Sequence, residues 1–457
     1  MKIHSMNYTP VHLQCSEVKS KTRLHSGPLA AGALIVSISL TMQSCSRDSS
    51  PATSENNTDN RQMAPTQSAG AKSFYGSFKQ PIDVARVTEL GRALFFDAKL
   101  SASGTVACAT CHSPDAAYGP PNGSPIQTAG RNSREAGLRA VPSLRYRQSI
   151  PPFTEHFHDN EDDSLDQGPA GGFTWDGRAQ SSHDQARLPL LSPLEMANDS
   201  EESVVAKVEG AAYAEEFRKA FGAQVFADRA LAFKGVQFAL EVFQQSPADF
   251  YPFSSKFDAF LRGTAELSEQ ERRGLDLFNA EEKGNCASCH QTAVMGGALP
   301  ILSDFGFIAI GVPRNASIPA NSDRTYFDLG LCGPLRTDFS DRGDYCGLFR
   351  TPSLRNAGIR KTFFHNGAMD TLEKVVEFYV QRDTNPEKWY SKRANGQVNL
   401  FDDLPANYRE NLNVDPPFDR KRGDKPAMDA SEIKDVVAFL NTLTDGYVSK
   451  DELKAKP

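Results

Sequence analysis

Two pentapeptides carry the chemistry. Cys108-Ala109-Thr110-Cys111-His112 and Cys286-Ala287-Ser288-Cys289-His290 each set two thiols three positions apart and follow the second with an imidazole. Thiols at that spacing can add to the two vinyl groups of a haem while the adjoining His takes the proximal side of its iron, which is the c-type attachment signature. Zinc would want its ligands clustered, whereas the two motifs stand in different halves of the chain. A redox dithiol does not require the His. The chain is therefore expected to carry two covalently bound haem c groups, with His112 and His290 as iron ligands.

Two haems make either an electron carrier or an enzyme, and the difference is whether one iron keeps an open face with acid–base groups over it. The stretch Phe173-Thr174-Trp175-Asp176-Gly177-Arg178-Ala179, followed by Gln185, Pro189 and Ser192-Pro193-Leu194-Glu195-Met196, is the candidate. A carboxylate there could move a proton between peroxide oxygens, and an amide could orient the peroxide. Taken singly, Glu195 reads as a surface carboxylate and Gln185 as a solvated polar residue.

The elements that must position these groups are helical. Leu90-Gly91-Arg92-Ala93-Leu94-Phe95-Phe96 runs through a Ser/Gly-rich loop into the first motif. Leu267-Ser268-Glu269-Gln270-Glu271 offers a capping box, and Gly274-Leu275-Asp276-Leu277-Phe278 leads into the second. Gly-x-x-Leu-Phe before each C-x-x-C-H is an internal repeat and argues for two related haem domains. Apolar spacing over 201–243 predicts further helix, Asp249 to Gly263 reads as the crossing between halves, and Ser431 to Leu443 as a terminal helix. With 33 Gly, 28 Pro and few alternating β-branched runs, the fold expected is mainly α with long loops and little β: two cytochrome c-like haem domains, 74–250 and 251–450.

Length and composition frame the rest. A chain of 457 residues, 39% hydrophobic, can bury a sizeable core. A net charge of −7 without a basic run argues against nucleic acid. Residues 1–45 read as an export signal, with scattered Lys and Arg before the apolar run Pro28 to Met42, too short and Ser-rich to span a bilayer comfortably. Cys45 closes a weak lipoprotein box and is a candidate for lipidation as a membrane tether, with ordinary cleavage downstream as the alternative. From 46 to 73 the composition is that of a flexible linker. Cys332 and Cys346 remain once the haem thiols and the leader cysteine are set aside, and in an exported protein they are expected to form a disulfide.

The ordered set Gly104-Thr105-Val106-Ala107-Cys108, Trp175-Asp176-Gly177-Arg178-Ala179, Gln185/Pro189/Glu195, the Cys286 motif, Phe349-Arg350-Thr351-Pro352-Ser353-Leu354-Arg355-Asn356 and His365-Asn366-Gly367 resembles the bacterial dihaem cytochrome c peroxidases and their MauG branch. It covers about residues 85–380, nearly all of the part expected to fold. The resemblance implies a periplasmic oxidoreductase acting on H2O2. It makes the His112 haem the peroxide-reacting one beneath Gln185 and Glu195, the His290 haem the electron-transfer centre, and Trp175 the relay between them. Electrons would come from a c-type cytochrome or copper protein. In the MauG-like variant they come from an aromatic side chain of a protein substrate, through a high-valent dihaem state.

The sixth ligand of the second haem distinguishes the branches. In the peroxidases it is a Met 14 residues beyond the His of His-x-Gly; in the MauG branch it is a Tyr. Here that position is Tyr379. Periodicity alone would place Tyr379 on a buried helix face with Leu372, Val375 and Val376; the resemblance makes it the axial ligand, with Met369 and Met428 as rivals. His156 and His158, in the acidic loop before Trp175, read as exposed loop residues, although in many of the peroxidases a loop His caps the first haem. The family also implies a Ca²⁺ between the haem domains, for which backbone carbonyls of Arg360 and Thr362 occupy the corresponding positions. A reading from a different class is a non-catalytic dihaem electron-transfer or redox-sensing cytochrome with both irons six-coordinate.

Overall fold

The computed structural model describes residues 74–158 and 166–449. The leader, Cys45, the linker and Asp159 to Asp163 of the acidic loop lie outside the described residues.

Each repeat unit proves to be a crossed pair of helices. Val84–Phe96 begins at Asp83, whose carboxylate accepts the Arg86 N–H, and buries Val87, Leu90, Leu94 and Phe95 on one face. It crosses Arg229–Phe243 so closely that a Cβ on Gly91 would stand 1.9 Å from the Ala239 carbonyl oxygen and 2.7 Å from the Phe243 Cβ. In the second half Glu269–Asn279 opens with the expected capping box between Ser268 and Glu271. It crosses Ala430–Asn441, where a Cβ on Gly274 would stand 1.9 Å from the Asp435 carbonyl oxygen and 2.9 Å from the Phe439 Cβ. The glycine of Gly-x-x-Leu-Phe thus lets two backbones touch, and the following Phe, Phe95 or Phe278, packs edge-on against the partner helix's Phe243 or Phe439.

Each crossing seeds its own core. The first gathers Val87, Leu94, Val204, Val208, Phe217, Phe233, Val236 and Phe243 and ends at Phe250. The second starts at Phe257 on the short helix Lys256–Leu261 and gathers Phe278, Leu302, Val376, Val436 and Phe439. The chain crosses from one to the other between those two phenylalanines, inside the Asp249–Gly263 stretch anticipated for it.

Among the described residues, strand structure is confined to two antiparallel ribbons, Thr128–Ala129 with Glu135–Ala136 and Phe307–Ile308 with Phe349–Arg350. The molecule is mainly helical with little sheet. Its long loops are fixed instead by buried polar contacts. Arg139 reaches Asp176 at 2.7 Å and Asp328 at 2.6 Å; Arg355 grips Asp258 through two 2.8 Å hydrogen bonds at full burial. Removing one member of such a pair costs about 3–5 kcal/mol, because the survivor is left charged and dry. Cys332 and Cys346 are disulfide-bonded as expected, within a small cluster containing Leu331 and Tyr345. Among the described residues no helix is long and apolar enough to cross a membrane.

Candidate functional site

Each C-x-x-C-H motif opens onto a cavity. The first, of about 520 Å³, is lined by Cys108, Cys111 and His112 and also by Trp175, Gln185 and Glu195, so three sequence-distant predictions share one space with the first motif. His112 follows a single helical turn, Cys108–Cys111, and its Nδ1 lies 2.9 Å from the Tyr118 carbonyl oxygen. A carbonyl can only accept, so Nδ1 carries the proton and Nε2 keeps its lone pair. Burial, with Arg147 and Arg360 nearby, pushes the ring down to about 4, so it is neutral, as a metal-ligating imidazole must be.

Gln185 and Glu195 reach the cavity from one broken helix. Ser182–Leu191 is capped by Ser181, carries Gln185 in its second turn, and contains Pro189, which has no N–H to continue the ladder. The helix stops at Leu191, and the turn that follows is held by Met196 N–H on the Pro189 carbonyl (3.0 Å) and Gly130 N–H on the Glu195 carbonyl (2.8 Å). That turn brings Glu195 back onto the wall Gln185 lines. Glu195 is open to the cavity but otherwise enclosed by protein. The enclosure raises its carboxyl above the ordinary glutamate range, against the opposing pull of Arg178 and a Ser192 hydrogen bond. Gln185 Oε1 accepts from both terminal nitrogens of Arg147 at 3.4 Å, which leaves its amide N–H groups as donors.

The second cavity, of about 190 Å³, is lined by Cys286, Cys289, His290, Trp175, His365, Tyr379 and Met428. His290 repeats the first arrangement, with Nδ1 2.9 Å from the Leu302 carbonyl. Tyr379 sits on Leu372–Gln381, stacked near Phe418 at 5.6 Å between ring centroids. Burial, then the thiols of Cys289 and Cys286, raises its phenol, and its hydroxyl makes no hydrogen bond among the described residues. Met369 lies in a separate cluster with Phe363 and Phe378, off the cavity wall. Met428 lines the cavity but packs beside Cys286: its Cε and the Cys286 Sγ would meet a Cβ on Gly284 at 2.6 and 2.7 Å.

Trp175 and Arg350 line both cavities. The Trp175 indole N–H donates to the Ala140 carbonyl at 2.8 Å, Ala140 N–H donates to the His365 carbonyl at 2.7 Å, and Arg350 N–H donates to the Trp175 carbonyl at 2.9 Å. His156 and His158 line neither cavity; His156 is exposed, its Nδ1 2.6 Å from Asp166.

The donor chemistry fits haem. Burial holds the four thiols at about 11 to 12, the reverse of what a redox dithiol needs. Arg147 and Arg350, pushed down to about 9 and 10 by enclosure, face the cavities without a carboxylate ion pair among the described residues, as cations awaiting a propionate do. His365, stacked on Phe349 with centroids 3.5 Å apart, has a buried Nε2 with no partner among the described residues. The donor chemistry does not fit calcium. The Thr362 carbonyl expected to bind it accepts the Arg360 Nε–H at 2.9 Å, and no group of three or more His, Cys, Asp or Glu converges on a metal position among the described residues. A guanidinium on that oxygen repels a divalent ion.

Sequence reasoning therefore located the thiols, both proximal histidines, Trp175, Gln185, Glu195 and Tyr379 on the cavity walls. It missed Arg147, Arg350, His365 and the carbonyls of Tyr118 and Leu302. Arg350 and His365 stand inside stretches quoted above; nothing local marks Arg147.

The model of the family described as di-haem cytochrome c peroxidase matches residues 85–266. The chain is 31% identical over 376 residues to the methylamine utilization protein MauG of Paracoccus denitrificans, covering 80% of this chain and 90% of that one. It is 29% identical over 308 residues to the cytochrome c551 peroxidase of Nitrosomonas europaea, covering 66% and 75%. Among solved structures it is similar to the diheme peroxidase BthA of Burkholderia thailandensis, with a TM-score of 0.71, 36% identity, and coverage of 80% and 87%.

Proposed function

The chain belongs to the dihaem cytochrome c peroxidase family and is a peroxidase-type oxidoreductase carrying two c-type haems, and on that premise we propose that it reduces H2O2 at the first cavity, in the MauG-like manner that starts from the fully oxidised protein. When bound, the haems would supply the iron chemistry, held by His112 for reaction with peroxide and by His290 as a second redox centre. Reduction of peroxide to two waters consumes two protons and two electrons, and the cleavage step needs a proton moved from one oxygen to the other. Glu195 is the group for that transfer. As the carboxylate it takes the proton from the near oxygen, and as the acid it delivers it to the far one, which leaves as water. Gln185, with Oε1 engaged by Arg147, donates its amide N–H to the peroxide and fixes its orientation. Trp175 is the relay. Tyr379 would hold the iron at the second centre, where its hard phenolate would favour ferric and higher oxidation states over what a thioether would allow.

The observation that carries the MauG-like reading is the Tyr379 phenol on the second cavity wall without a hydrogen-bond partner among the described residues, with Met369 off that wall. The position of His156 and His158 away from the first cavity supports it. Residues 74–250 and 251–450 are then two cytochrome c-like haem domains. The disulfide supports export to an oxidising compartment, the periplasm, with 1–45 as leader and Cys45 as the candidate anchor. The reductant is a c-type cytochrome, a copper protein or an aromatic side chain of a protein substrate. The test is to add H2O2 to the diferric and to the half-reduced protein and follow the haem absorption. A prompt reaction of the diferric form is expected; a reaction only after half-reduction overturns this reading. Tyr379→Phe should alter the spectrum of the second haem alone, and an unchanged spectrum removes Tyr379 as ligand.

A further inference from the structure

Arg360 lies where two walls meet. Its Nη2 donates to the Val141 carbonyl at 2.9 Å and its Nε to the Thr362 carbonyl at 2.9 Å. Val141 lines the first cavity; Phe363, Phe364 and His365, which follow Thr362, line the second. The third nitrogen, Nη1, would be 3.6 Å from a Cβ on Gly119, and so lies against the turn whose Tyr118 carbonyl accepts the His112 Nδ1–H. Arg360 makes no ion pair with a carboxylate among the described residues, and the guanidinium, pushed down to about 10 by its surroundings, is still charged at neutral pH. Its charge is met by carbonyl dipoles drawn from both halves, which is how a bound metal ion's charge is met.

We propose that the Arg360 guanidinium is a built-in cation standing where the family resemblance implies calcium: it ties the Val141 wall to the Thr362 segment, positions His112 through the Tyr118–Gly119 turn, and makes the holoprotein independent of calcium. The residue is a positioning residue. The segment it holds includes Ala140, whose carbonyl orients Trp175 and whose N–H meets His365, so the strut stands next to the contact shared by the two cavities. A divalent ion needs several oxygen ligands at once; a fork of fixed N–H donors needs one carbonyl per nitrogen and carries its own charge wherever the chain folds.

The test combines elemental analysis with charge replacement on the dihaem holoprotein. After gel filtration from CaCl2-containing buffer, wild type is expected to hold less than one calcium per ten chains, and excess EGTA is expected to leave its haem spectra and melting temperature unchanged. One calcium per chain, or a spectral shift with EGTA, overturns the proposal. Arg360→Gln removes the cation and frees both carbonyls. It should shift the absorption of the His112 haem, lower the melting temperature, and recover at least half of both changes on addition of CaCl2, a cation-specific response absent from wild type. Arg360→Lys, which keeps a cation, should shift less than Arg360→Gln. If Arg360→Gln does not accumulate as holoprotein, the calcium content of wild type and the Lys variant still decide. An Arg360→Gln protein with wild-type spectra and no response to CaCl2 defeats the proposal.

Discussion

Glu195 combines exposure to a cavity with enclosure by protein, and the two have opposite consequences for activity and stability. Its carboxyl lies above the ordinary range of about 4.3. As a base toward peroxide it must be ionised, so the rate of the peroxide reaction should fall as pH drops through that raised value, placing the acid limb above where a free glutamate would put it. Glu195→Gln should lower the rate on the order of 10²-fold or more and abolish the limb, read by stopped-flow absorption across pH. For stability the sign reverses. A carboxyl raised in the folded state contributes stability below its unfolded value and loses it as pH rises through the folded one, so the ionised group is a cost at neutral pH. Glu195→Gln should therefore melt no lower than wild type at pH 7 while being catalytically poor. A variant losing stability and activity together would point to a structural carboxylate. Sequence alone favoured that bland reading for Glu195 taken singly, because the Pro189 break and the Met196–Pro189 hydrogen bond that turn the residue inward join positions whose adjacency only the folded turn reveals.

At the scale of elements, the two helix crossings turn a sequence repeat into a packing constraint. Replacing a helical Gly by Ala ordinarily gains about 1 kcal/mol of helix propensity. At Gly91 and Gly274 the added carbon would sit 1.9 Å from a partner carbonyl oxygen, and the helices can only separate. The resulting overpacking, typically 1–3 kcal/mol, outweighs the propensity gain, so Gly91→Ala and Gly274→Ala should each lower the melting temperature by several degrees. Gly210 is the control. A Cβ there would have no neighbour closer than 3.6 Å, and Gly210→Ala should melt within about a degree of wild type; equal behaviour of all three would refute close crossing. The repeat was legible because both copies keep the same residues ahead of C-x-x-C-H. The helix partners Arg229–Phe243 and Ala430–Asn441 were legible as helices but not as partners, since what selects them is a backbone approach some 150 residues along the chain. The calcium positions show the same limit. Arg360 and Thr362 were singled out for their backbone carbonyls, yet that the side chain of one occupies the carbonyl of the other depends on a rotamer fixed by Val141, more than 200 residues away.

For the whole molecule, the question is how two cavities built on separate cores act as one site. Each motif has its own helix pair, its own core and its own carbonyl-anchored His, so either half could serve as an independent carrier. Among the contacts that join them are apolar packing of Phe153 on Phe307 and Phe339, Arg139 between Asp176 and Asp328, Arg360 between Val141 and Thr362, and the wall made by Trp175 and Arg350. Arg139 and Arg178 overcome the cost of burying Asp176 and hold its carboxyl down to about 2, so this junction keeps its charges from mildly acid pH upward. Of these contacts only Trp175 offers an oxidisable π-system to both cavities. Trp175→Phe keeps an aromatic ring in the wall but removes the indole and its hydrogen bond to Ala140. The peroxide reaction at the His112 side should then begin at close to the wild-type rate, since Gln185 and Glu195 are untouched. The absorption change at the His290 side should lag it by tenfold or more, where wild type shows both together. Stopped-flow spectra resolved into the two haem contributions would read this directly. Simultaneous changes in Trp175→Phe would move the coupling from the indole to the backbone and Arg350 path, and Arg350→Gln would then be the variant to lose it.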